Sequence, residues 1–166
     1  GQITAKPSLR LLFFDGNQSL HFPAINQGRT FFWVVERLAS NDSSSSFFSY
    51  ELGGPANQSW GNHGGNKFFY QAINDIHQGL QRRDGEAIHL SVSTSSFLDK
   101  LQVTTLRTLN FVSSDVIARR VRTGGTHYLT GKFGEILVYD RPLSDTEIDT
   151  VEQYLGHKWG IALAGQ

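Results

Sequence analysis

Residues 147–152 read Glu-Ile-Asp-Thr-Val-Glu, three carboxylates in an E-x-D-x-x-E spacing. On a β-strand this spacing does chemistry. Side chains two apart share a face, and retaining glycoside hydrolysis needs two carboxyls roughly 5 Å apart across one glycosidic bond. On a helix the spacing fails. At 3.6 residues per turn, Glu147 and Asp149 point about 200° apart, and Asp149 and Glu152 become solvent-facing neighbours. The conformation of this hexapeptide therefore separates an enzyme from a binding or structural module.

The surrounding residues predict a helix. Ile148, Val151, Leu155 and Trp159 recur at i, i+3, i+7 and i+11, one apolar stripe. Ser144 followed by Glu147 spells a capping box, and Leu143 can staple onto Ile148. Asp145 and Glu147 suit the positive end of the helix dipole, His157 and Lys158 the negative end, and Gly160 marks a stop. The stripe is expected to pack against a sheet edge or rim.

Upstream, the chain is organised as strands. Phe- and Val-rich runs alternate with Gly, Asn and Ser clusters. The expected strands are 9–14, 20–22, 30–38, 46–52, 67–73, 87–93, 106–112, 116–122 and 131–139. In the third, Phe31, Trp33 and Val35 share one face and Phe32, Val34 and Glu36 the other. Both faces are largely apolar, which predicts a central strand covered on both sides. Asp15-Gly16 and Asp84-Gly85 read as tight turns. Arg82, Arg83, Arg119 and Arg120 read as solvated strand ends.

The 166 residues suit one domain with a real core, supplied largely by twelve Phe, five Tyr and three Trp. Lys+Arg and Asp+Glu balance at 15 each, which argues against nucleic acid as a partner. No apolar run approaches the ~20 residues of a membrane span. The chain has no Cys, hence no disulfide or thiolate metal site, and this favours a bacterial or viral source. It also lacks Met and is expected to be a module of a longer protein. The three N-x-S sequons, at Asn17, Asn41 and Asn57, are read as chance. The six His show no zinc-site spacing, and no G-x-S-x-G elbow or phosphate loop is present.

The closing stretch GKFGEILVYDRPLSDTEIDTVEQYLGHKWGI, residues 131–161, resembles the end of concanavalin A-like, laminin-G-like jelly-roll domains. A strand of the form G-x-[IF]-x-E is followed there by R-x-L-[ST]-x-x-E and a helix ending YL-x-x-K-[WY]-G. Gly131, Phe133, Glu135, Tyr139, Arg141, Leu143, Ser144, Glu147, Tyr154, Leu155, Lys158, Trp159 and Gly160 match. LLFFDGNQSLHFP and TFFWVVER resemble the opening strands of the same domains. The resemblance implies an all-β, two-sheet antiparallel sandwich with one C-terminal amphipathic helix, formed by residues 1–166 as a single domain. It speaks for fold more than function. Glu135, which interrupts the apolar alternation of its strand, reads as a structural hydrogen-bonding residue. The family's frequent rim metal makes calcium the one cofactor to look for. Asp15, Asp42, Asp75, Asp84, Asp99 and Asp115 are scattered, however, and no metal ligands can be named.

For ligand binding, the richest stretch is 53–70, with five glycines, Trp60 as a stacking platform, and Asn62, His63 and Asn66 as hydrogen-bonding groups. The loop 122–131 adds His127 and Tyr128. Aromatic, amide and Gly-loop chemistry together predict a non-catalytic carbohydrate-recognition module of an extracellular, cell-surface or virion protein. Its expected partner is a glycan or a surface protein. The alternatives are a structural or protein-interaction module, such as an adhesin spacer or a phage decoration or fibre domain, and a glycoside hydrolase or lyase.

Overall fold

The computed structural model describes residues 9–37, 46–49, 60–61, 76, 78–88, 100–122 and 125–165. They form a mostly antiparallel β-structure closed by one C-terminal helix. The spine is β2 (Leu20–Arg37). Its second half lies between β10 (Thr130–Tyr139), with Tyr139 opposite Thr30 and Phe133 opposite Val35, and β7 (Gln102–Ile117), with Trp33 opposite Thr104. Phe31, Trp33 and Val35 are fully buried in one cluster with Phe14, Leu106, Val112, Ile117, Leu129 and Phe133. Phe32 and Val34 are fully buried in a second cluster with Val103, Leu143, Ile148 and Leu155. The central strand is thus covered on both faces, as its two-sided apolar pattern requires. Each such side chain contributes about 1.5–3 kcal/mol by leaving water.

The main sheet runs β1 (Leu12–Asp15), β10, β2, β7, β3 (Ser46–Ser49), β4 (Trp60–Gly61). β5 (Leu80–Arg83) pairs with the first half of β7, and β6 (Glu86–Ala87) pairs with β5. β8 (Arg119–Arg122) and β9 (Gly125–Tyr128) form a separate hairpin. The long strands β2 and β7 replace the two pairs of short strands expected from the sequence. Residues 23–29, with Pro23 and three amide or Gly positions, look like a break. Instead they stay extended against β7, and the ladder absorbs them as register shifts between His21 and Thr30. Gly28 leaves room for the Phe31 ring, into which a Cβ there would run. Beyond these shifts, Val112 and Ile117 of β7 and Phe22 of β2 join the cluster of Phe31 and Trp33. The two halves of the sheet therefore share one core.

Two further expectations change. β5 was not anticipated as a strand: LQRR carries one apolar residue and shows no apolar alternation. Asp15-Gly16 does turn, with the Asn17 amide donating to Asp15 Oδ1 at 3.0 Å and Gly16 at φ 93°. Yet β1 pairs with β10 rather than with β2, so the turn leads out of the sheet edge and not into a hairpin. Asp84-Gly85, with φ 50° and 82°, is the two-residue hairpin turn between β5 and β6. The expected strand 67–73 and most of 87–93 lie outside the described residues.

Helix α1 (Asp145–Trp159) has the expected capping box, and Gly160 in the left-handed conformation, φ 68°, as its stop. Its stripe packs on the face of the sheet, over Phe32, Val34 and Val103, with Leu137 and Tyr139 alongside. The edge packing expected from the sequence is therefore corrected. Phe32 and Val34 leave an apolar face on the central strand that only an element laid across the sheet can bury.

Candidate functional site

The acids of EIDTVE lie on α1 and take opposite directions. Glu147 caps the helix, accepting from the Ser144 amide at 2.8 Å. It also receives both guanidinium arms of Arg141, at 2.6 and 3.1 Å. The Arg141 hydrogen bonds, followed by those from Ser144, bring its pKa down to about 2. Asp149 and Glu152 instead meet Arg82 of β5, at 2.5 and 3.1 Å. Glu152 is not solvent-facing as the helical spacing suggested. It is buried beneath the helix, accepting from Thr105 Oγ1 at 2.6 Å, and burial pushes its carboxyl up. Arg82 is correspondingly not a solvated strand end: its side chain is 17 % exposed and is fixed between the two acids. Sequence reading missed this cross-link because β5 and α1 meet only through the sheet.

The other residues of the closing motif also hold structure. Buried Thr30 donates to the Arg141 carbonyl at 2.9 Å and accepts from the Leu143 amide at 3.0 Å. Arg107 donates to the Leu143 carbonyl and to Asp145, at 2.8 and 2.7 Å. Glu135 receives Trp159 Nε1 and Lys158 Nζ at 3.1 and 2.8 Å, the hydrogen-bonding role expected of it.

The expected ligand residues are spread over two strands and an undescribed stretch. Trp60 begins β4, with its backbone opposite Phe48 of β3, and so sits in a strand rather than a loop. Asn62, His63 and Asn66 lie outside the described residues. His127 and Tyr128 are also strand residues, on β9 opposite Arg120 and Arg119. Both stretches attach near the C-terminal end of β7, where Ile117 faces Phe48 and the chain continues into β8.

A groove of about 690 Å³ lies at the opposite edge of the same half-sheet, lined by Ile25, Asn26, Gln27, Val138, Tyr139 and Asp140. It forms because β10 stops at Tyr139, opposite Thr30, while β2 runs on toward its start through 25–27. Asn26, Gln27 and Asp140 are exposed and Tyr139 is half-buried, its ring edge-on to Phe32 at 5.9 Å. Charges on other elements are committed to one another: Arg141 to Glu147, Arg107 to Asp145, and, at a separate hollow by residues 163–165, Arg82 to Asp149 and Glu152. Arg29 Nη2 is turned to the carbonyls of Thr108 and Leu109 at 3.2 and 2.9 Å, with the guanidinium over the Phe111 ring. The side chains of Asn26, Gln27 and Asp140 hold no hydrogen bond or ion pair among the described residues. Two amides, a carboxylate and a tyrosine thus line the groove beside apolar Ile25 and Val138. The amides both donate and accept, the carboxylate accepts, and the aromatic and aliphatic surfaces take apolar contacts. Sequence reading overlooked these residues; the amide pair before Gly28, in AINQG, was the available signal.

Among the described residues no three acidic or histidine side chains gather in a metal-ligating group. Asp84 is engaged by the Val103 amide at 2.8 Å, and Asp115 is buried. No helix among the described residues is long and apolar enough to cross a membrane. Compared with protein-family models, curated proteins and solved structures, the chain matches none.

Proposed function

We propose that this chain is a non-catalytic recognition module that binds carbohydrate, built on a concanavalin A-like jelly-roll sandwich within an extracellular, cell-surface or virion protein. The observation that carries the reading is the groove at the end of β10. There Asn26, Gln27 and Asp140, whose side chains hold no hydrogen bond or ion pair among the described residues, stand with Tyr139 beside Ile25 and Val138. Paired amides match vicinal hydroxyls, and the apolar walls match the C–H face of a sugar ring. The fold half of the proposal is supported by the shared core of the two sheet halves and by the matched closing motif. The non-catalytic half is supported by the acids of EIDTVE, each engaged by an arginine. Trp60, His127 and Tyr128, with Asn62, His63 and Asn66, are proposed as a second contact area. A glycan array followed by titration tests the reading. An Asn26→Ala/Gln27→Ala double variant should lose binding at least tenfold, and Trp60→Ala should weaken it. Absence of saccharide binding would overturn the reading.

A second reading, a structural or protein-interaction module, is favoured by the outermost strand. Leu12 and Phe13 of β1 are 47 % and 51 % exposed, with Leu9 and Leu11 also exposed. An apolar edge strand is a template for pairing with another chain. Sedimentation over a concentration series distinguishes the two: association abolished by Phe13→Lys would favour this reading.

A further inference from the structure

The charge arrangement around the groove goes one step further, resting on the carbohydrate reading. Among the described residues lining it, Asp140 is the one with a formal charge. The two neighbouring cations do not bond to it. Arg29 is anchored on the β7 carbonyls. Arg141, which feels the field of Asp140, places both guanidinium arms on Glu147. Arg141 is balanced by Glu147 and Arg29 is turned onto the β7 carbonyls, so the charge on the groove wall itself is the Asp140 carboxylate, beside two neutral amides. An anionic sugar group set directly against Asp140 would meet like charge. A protonated amine placed among the hydroxyls would gain a charge-assisted hydrogen bond, stronger than a neutral one.

We propose that the groove selects amino sugars bearing a free ammonium group, with Asp140 as the residue that reads the charge and Asn26 and Gln27 as readers of the adjacent hydroxyls. The probes are a glucosamine oligosaccharide, its fully N-acetylated counterpart and a uronic-acid oligosaccharide of the same length. They are titrated at mildly acidic pH, where the amine carries its proton, into the wild-type chain and into Asp140→Asn. Because the site is open to solvent, the expected preference is modest: roughly three- to tenfold for the amine over the N-acetyl form at low salt. It should shrink as the Debye length falls from ~30 Å at 0.01 M to ~8 Å at 0.15 M. In Asp140→Asn the ratio of amine to N-acetyl affinity should fall to about one, whatever happens to the absolute affinities; a preference that survives in Asp140→Asn would overturn the charge selection. Asp140 is exposed, so an unchanged thermal midpoint will show that the variant folds. Equal wild-type affinities for amine and N-acetyl forms, or tighter binding of the uronic acid, would overturn the charge selection and leave the carbohydrate reading standing. Binding of none of the three, together with silence on a broader array, would overturn both.

Discussion

The indole Nε1 of Trp159 donates to Glu135 Oε2 across 3.1 Å, tying the last turn of α1 to the middle of β10. The same oxygen takes Lys158 Nζ at 2.8 Å, and the ring lies against Gly134, where a Cβ would come within 2.7 Å of it. A residue that looked out of place in its strand is therefore the anchor of the helix terminus.

Removing that anchor should loosen the helix. Burial pushes the Glu135 carboxyl up, but the hydrogen bonds from Lys158 and Trp159 outweigh it and hold the group below the ordinary carboxylate range. Its contribution is present above the unfolded pKa and fades as pH falls through the folded value. Glu135→Gln should cost about 1 kcal/mol at neutral pH, with the deficit shrinking below about pH 5. Gly134→Ala should cost about 1–3 kcal/mol by overpacking. Urea unfolding across pH measures both.

The N-terminus of the helix should show a sharper acid dependence. The folded pKa of Glu147 is about 2, so its stabilisation is fully present above the unfolded carboxylate pKa and drains away progressively as pH falls from there through the folded value. Thermal midpoints of the wild-type chain and Glu147→Gln should therefore differ at pH near 5 and converge near 2. Ser144→Ala should cost about 1 kcal/mol through the lost cap.

Glu152 should behave with the opposite sign. Burial raises its pKa, with Thr105 and Arg82 opposing. A folded pKa above the unfolded one means that the folded state holds the proton longer. The group's contribution is greatest below the unfolded pKa and declines as pH rises through the folded one. Glu152→Ala should nevertheless cost about 3 kcal/mol at neutral pH, because it strips a partner from half-buried Arg82 and from buried Thr105. Chemical denaturation of Glu152→Ala and Glu152→Gln across pH measures the cost and the sign.

Thr104 offers a contrasting case. It is fully buried, and its hydroxyl has no hydrogen-bond partner among the described residues. Thr104→Val removes a buried polar group at nearly constant shape, so it should be neutral or stabilising by up to ~1 kcal/mol. A fall in the thermal midpoint would show that the hydroxyl is satisfied after all.

The helix and the central strand were legible in the sequence because their signals are local. Ser144, Glu147 and Gly160 mark the ends of one element, and 31–35 are apolar without interruption. The strand LQRR was not, because its place depends on Arg82 finding Asp149 and Glu152 across the sheet. The groove was hidden for a related reason. Asn26 and Gln27 stand in an irregular run and Asp140 follows the last strand; only the pairing of Thr30 with Tyr139 makes them neighbours. The Trp60 stretch attracted attention by composition, which records chemistry but not position.

The central claim is that the groove at the end of β10, not the acidic helix, meets the ligand. Amide chemical-shift mapping with the tightest saccharide from the array tests it most directly. The account predicts perturbations concentrated at 25–27 and 138–140, with the saccharide recovered intact. Perturbations centred on 147–152, or cleavage of the saccharide, would contradict it.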